Sequence, residues 1–194
     1  MSESQAHVPN DSRLRAAVRS GEFLITAEVM PPKGCDPSHM IQMASLLKDR
    51  VHAVNITDGS RAVLRMSSLV SSVLLLQHGI EPICQMACRD RNSIALQADL
   101  MGAQALGIRN VLALTGDPVK AGDHPDAKSV FDLESVRLLQ LIGKMNQGMA
   151  LNDSVLSDGA TDFFVGAAVD PQCPSWSGLQ RRFERKVEAG AQFF

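Results

Sequence analysis

Polar groups able to do chemistry recur at the ends of short apolar runs in this chain. They are Glu28, Thr57-Asp58, Gln85 and Thr115-Gly116-Asp117. The sharpest case is Val111-Leu112-Ala113-Leu114, which breaks off into Thr115-Gly116-Asp117-Pro118. An apolar run of this length, closed by Gly and Pro, reads as a buried parallel strand. Its polar triplet falls at the carboxyl end, where α/β folds place ligands and catalytic groups. Asp117 thus sets a carboxylate at the mouth of a candidate site, and Gly116 lets a flat ligand approach the backbone closely. The sequence contains no Tyr, so such a ligand has to stack on aliphatic or other groups.

Strands and helices alternate around these residues. Strands are predicted over 23–29, 53–57, 81–87, 110–115 and 163–168. Helices are predicted over 12–20, 38–48, 67–77, 93–106, 133–146 and 176–189. Several ends carry their own signals: Asp36-Pro37 before the second helix, Asn92 before the fourth and Asp132 before the fifth. Residues 191–194 begin a sixth strand. Gly116 to Ser129 is a long Gly-, Pro- and Asp-rich loop, and Gly148 to Asp162 is the most linker-like segment. Alternation of this kind means a parallel sheet covered by helices. A dinucleotide-binding sheet should carry G-x-G-x-x-G after a strand, and neither that motif nor a Walker A sequence is present. Polar ends after several successive strands are instead the pattern of a (β/α)8 barrel. A full barrel takes about 250 residues. The expectation is therefore an incomplete TIM-type barrel over 13–194, of about five βα units and the start of the sixth strand, preceded by a flexible arm at 1–12.

Composition narrows the class. With 45% hydrophobic and 21% charged residues and a net charge of −2, the chain has the make-up of a soluble globular domain. Scattered Lys and Arg argue against nucleic acid. No apolar run reaches the roughly 20 residues of a membrane helix, and the polar first ten residues show no signal segment. Cys35, Cys84, Cys88 and Cys173 include no C-x-x-C pair, so reduced, mostly buried thiols in a cytoplasmic protein are expected. No iron–sulfur pattern is present. His39, His52, His78 and His124 lack metal-ligand spacing, and His7 lies in the arm. A phosphate-binding barrel aldolase would want a strand-end lysine or a metal cluster, and neither is found.

Six pieces in order carry a family resemblance: Thr26-Ala27-Glu28 with Pro31-Pro32, Val54 to Thr57, Pro82 to Cys88, Leu114 to Pro118, Gly166 to Val169, and Arg185 to Ala191. From about Phe23 to Phe194 the chain resembles the methylenetetrahydrofolate reductase family, and more its short microbial branch than forms with added regulatory domains. The resemblance implies FAD across the strand carboxyl ends and reduction of 5,10-methylenetetrahydrofolate to 5-methyltetrahydrofolate, a step of one-carbon metabolism that supplies methionine. NAD(P)H or another donor would reduce the flavin. Glu28 is implied as the general acid toward the folate N5, with partial burial favouring its protonated form. Asp117 is implied to bind the aminopyrimidine edge of the pterin and to bias the flavin. The cofactor contacts implied are Thr57 and Asp58 at the ring, Gln85 on a ribityl or phosphate oxygen, Leu114, Thr115 and Gly116 through the backbone, and Val130 near the adenosine. Arg182, Arg185 and Lys186 would neutralise the pyrophosphate.

The chain also departs from the family pattern. Asp58 and Ser129 stand where aromatics are common, Gln85 where many members have His, and Val169 and Cys173 where an aromatic and a His occur. The partners expected are the folate substrate and either a homo-oligomer or an electron-transfer subunit. The alternative reading is a catalytically impaired fragment, or a non-redox subunit that binds flavin or folate.

Overall fold

A computed structural model describes residues 11–194. In chain order its elements are α1 (Arg13–Ser20), β1 (Thr26–Val29), α2 (Ser38–Leu47), β2 (Ala53–Ile56), α3 (Ser68–Gln77), β3 (Pro82–Ala87), α4 (Ser93–Ala105), β4 (Asn110–Leu114), α5 (Ser135–Asn146), β5 (Phe164–Ala167) and α6 (Trp176–Glu188). The five strands form one parallel sheet in the order β1-β2-β3-β4-β5. Phe193 bridges Gly166 in parallel, so the chain enters a sixth place beside β5.

Strand order and helix placement decide between the two α/β architectures. A doubly wound sheet reverses its order at a switch point and carries helices on both faces. Here the order runs without reversal. Outward residues Val29, Val54 and Ile56 pack with Met40, Ala44 and Leu75 of α2 and α3. Cys84, Met86, Val111, Ala113 and Val165 pack on the same side with Leu96, Leu100, Leu138 and Ile142 of α4 and α5. The opposite, inward face holds Ala53, Ile83 and Phe164, and there Leu14 and Val18 of α1, the one helix that reaches this face among the described residues, join them with Leu24, Leu112 and Phe193. One-sided helices over a sequentially ordered parallel sheet are the geometry of a barrel wall. The expected incomplete (β/α)8 arrangement is what the structure has.

α1 is fixed to the floor of this wall. Ser12 is buried and accepts the Arg15 N–H, and Glu81 accepts the N–H groups of Arg13 and Leu14 at 2.8 and 3.0 Å. The expected arm lies, for residues 1–10, outside the described residues.

Element limits differ by more than one residue at two places. β1 begins at Thr26 rather than Phe23, because β2 starts only at Ala53 and the preceding turn offers no strand for residues 23–25 to pair with. α5 begins at Ser135, because the Asp132 carboxylate accepts the Ser93 N–H at 2.7 Å and so caps α4 instead. The 148–162 segment is a loop closed by a Met149–Val155 bridge. Among the described residues no helix is long and apolar enough to cross a membrane. Two of the four thiols, rather than most, are buried: Cys84 and Cys88, pushed by burial up to about 11 and about 12, which leaves them unreactive at neutral pH.

Candidate functional site

Parallel pairing brings all five strand carboxyl ends to one rim. Alternation along β3 then decides what faces inward. Ile83 packs on the inward side, so Gln85 and Ala87 follow it there while Cys84 and Met86 point to the helices. Gln85 Nε2 donates to Glu28 Oε2 at 3.3 Å. β1 and β3 are separated by β2, about 10 Å apart along the sheet, so the contact requires two side chains leaning over a concave face. Glu28 itself is exposed. The partial burial expected of it is absent from the protein alone, because nothing among the described residues covers that part of the inward face.

Thr57, at the end of β2, is buried and its hydroxyl has no hydrogen-bond partner among the described residues. A buried hydroxyl left without a partner costs about 1–3 kcal/mol, so the site holds an open polar group beside the rim. Asp58 is used differently. Its carboxylate, 9% exposed, accepts the Ala87 N–H at 2.8 Å and pairs with Arg91 at 2.7 Å. It latches the β2 loop to the end of β3, with its side chain turned into the protein rather than toward a flat ligand. Arg91 also pairs with Asp99 at 2.9 Å, and these carboxylates hold its guanidinium in the charged form against the opposing effect of burial.

The β4 end is equally specific. Leu114, on the inward side of β4, accepts the Cys88 N–H with its carbonyl. Thr115 Oγ1 accepts the Ser135 N–H at 3.1 Å and so caps α5. Gly116 has φ +94°, and a Cβ there would lie 3.0 Å from Arg89 Cβ and 3.2 Å from Ala87 Cβ. The space its missing side chain leaves is filled by β3 and the residues after it, not by room for a ligand. Gly116→Ala is therefore expected to destabilise the chain by about 1–3 kcal/mol, read as a lowered denaturation midpoint; an unchanged midpoint would contradict this packing. Asp117 is exposed and accepts the Arg61 N–H through Oδ2 at 2.7 Å.

The basic residues of α6 divide. Arg182 and Lys186 line a cavity of about 290 Å³ with Ala168, Val169 and Cys173 at the end of β5. Arg182 donates to Cys173 Sγ at 2.9 Å. Burial, with Arg182 beside it, holds the Lys186 amine below its usual range. Arg185 pairs instead with Glu134 at 3.6 Å. Val130 is exposed on the long loop and donates its N–H to the Arg89 carbonyl at 2.8 Å.

Glu28, Thr57, Gln85, Thr115, Gly116 and Asp117 thus gather at one rim, Arg182 and Lys186 share a cavity at the neighbouring strand end, and Arg185 turns aside. Sequence reasoning passed over Arg89-Asp90-Arg91 and Arg61. The first had a visible signal, three charged residues in a row one position past the end of a wholly buried strand. Arg61 had none, because its place beside Asp117 depends on two loops meeting.

Comparison with known proteins agrees with this geometry. The family model described as methylenetetrahydrofolate reductase matches residues 13–194. A protein of Caenorhabditis elegans named probable methylenetetrahydrofolate reductase (NADPH) is 27% identical over 127 residues, which is 66% of this chain and 17% of that protein. The chain therefore spans a small part of that relative's length.

Proposed function

The chain belongs to the methylenetetrahydrofolate reductase family, and from this premise we propose that it binds FAD and reduces 5,10-methylenetetrahydrofolate to 5-methyltetrahydrofolate in the cytoplasm, with NAD(P)H as reductant. The observation that carries the proposal is the meeting of Glu28 and Gln85 on the concave face at the strand carboxyl ends.

The residues present fit a flavin dinucleotide. Thr57 offers a buried hydroxyl without a partner, and Arg182 and Lys186 offer two cations lining a cavity one strand end away. Thr57 would meet the ring edge, and the two cations would hold the pyrophosphate. FAD, when bound, supplies hydride transfer to the one-carbon unit of the folate. Glu28 gives its proton to N5 as the methylene bridge opens. Gln85 orients that carboxyl by donating to Oε2. Ligands stacked over Glu28 exclude water from it. Asp117, held through Oδ2, keeps Oδ1 free to accept from the aminopyrimidine edge.

A second reading, a flavin- or folate-binding subunit without turnover, is favoured by the exposure of Glu28 in the protein alone. The first test is an absorbance spectrum after FAD addition and gel filtration. Flavin retained at one per chain is expected, with Thr57→Val weakening it about two- to tenfold. A folded chain that retains no flavin would overturn the proposal.

A further inference from the structure

Two neighbouring residues in the turn after β2, Arg61 and Ala62, both have φ +56°. L side chains rarely enter this left-handed region, and among the described residues no other adjacent pair of non-glycine residues does so. Backbone strain of this kind persists only where surrounding contacts over-determine it, and such places cluster at ligand-binding sites. The contacts here come from the loop after β4, which also carries Asp117.

Three contacts join the two loops. The Arg61 N–H donates to Asp117 Oδ2 at 2.7 Å, and the Leu64 N–H donates to Asp123 Oδ1 at 2.9 Å. Lys33, from the loop after β1, pairs with the other oxygen of Asp123 and anchors it. The third contact is Gly122, which lies directly against the strained pair. A Cβ on it would fall 1.8 Å from the Ala62 carbonyl oxygen and 2.4 Å from the carbonyl carbon. Both are backbone atoms, so no flexible side chain can turn aside to make room. Gly122 itself has φ −105°, which any residue adopts. Glycine is needed there for close approach, not for conformation.

Close packing at Gly122 keeps Arg61 and Ala62 in place, and Arg61 aims its N–H at Asp117. Asp117 is exposed, and that N–H is its one hydrogen bond among the described residues. We propose that Gly122 is a positioning residue: through the left-handed Arg61–Ala62 turn it presets the Asp117 carboxylate, with Oδ2 taken and Oδ1 left for the aminopyrimidine edge of the pterin. The inference rests on the folate reading above. A carboxylate fixed beforehand loses less freedom on binding than one free to rotate. Affinity for the folate therefore depends on the turn as well as on Asp117.

The test is a double-mutant cycle between Gly122 and Asp117. It reads the calorimetric affinity of the FAD-loaded chain for 5-methyltetrahydrofolate, with flavin content and denaturation midpoint measured on every variant. Gly122→Ala is expected to weaken binding about tenfold while FAD stays at one per chain. Asp117→Ala should weaken it at least as much. In the Asp117→Ala background, Gly122→Ala should add no more than about twofold, because the carboxylate it acts through is gone. A general distortion of the rim would instead weaken binding equally in both backgrounds. Should Gly122→Ala fail to fold, Asp123→Ala, which removes the Leu64 contact, takes its place in the cycle with the same expectation. Binding unmoved by the loop variant, or weakened equally in both backgrounds, overturns this inference and leaves the folate reading intact. Binding unmoved by Asp117→Ala overturns the role of Asp117 and this inference with it. An unaltered chain that fails to bind FAD or the folate overturns both readings.

Discussion

Glu28→Gln is expected to slow methylenetetrahydrofolate reduction by about 10²- to 10⁴-fold while FAD stays bound and is still bleached by the reductant. The substitution is nearly isosteric, and the new amide oxygen can still accept from Gln85 Nε2, so the geometry at the rim is preserved. What disappears is a dissociable proton. Because only the folate half of the cycle requires that proton, the two half-reactions should separate: unchanged bleaching by NAD(P)H, and loss of the return of colour on adding methylenetetrahydrofolate. Rapid-mixing absorbance reads both. If the folate half-reaction proceeds at the original rate in the variant, Glu28 is not the acid. An unaltered chain that is itself as slow as the variant favours the reading of this face as a binding subunit without turnover.

Asp58→Ala is expected to lower the folding free energy by about 3 kcal/mol. The carboxylate satisfies the Ala87 N–H and pairs with Arg91, both in a largely dry setting. Removing it leaves a buried N–H without an acceptor and a guanidinium with Asp99 and the Ala87 carbonyl as its remaining partners. Asp58→Asn keeps an acceptor for Ala87 and loses only the charge, so about half that effect is expected. Because the pair is shielded from solvent, added salt should change the difference little. Denaturant midpoints on the three chains measure it. Equal midpoints would show that the latch between the β2 loop and β3 contributes nothing.

Glu28 and Asp117 were visible in the sequence because each follows a short apolar run, and a parallel sheet puts every such end on one rim. The helix stops at Gly21, Gly79 and Gly107 and the cap at Asn92 were visible for a similarly local reason: chain reversal and unpaired helix N–H groups are settled by adjacent residues. Asp58 shows where that visibility ended. From the sequence it is one more strand-end carboxylate, equal in standing to Asp117. Its engagement by Ala87 and Arg91, residues 29 and 33 positions away, is what turns it inward. Asp132 behaves likewise, capping the helix before the one it adjoins in sequence.

The sequence by itself determined the alternation of elements, the barrel-type class and the set of polar residues at the strand ends, because apolar period, turn residues and caps act over a few neighbouring positions. Only the tertiary structure decided which of those residues stay at the open rim. Whether Asp58 turns inward, Arg185 turns to Glu134, Gly116 packs against Ala87 and Arg61 comes to rest beside Asp117 depends on hydrogen bonds and contacts between segments far apart in the chain, which no local pattern encodes.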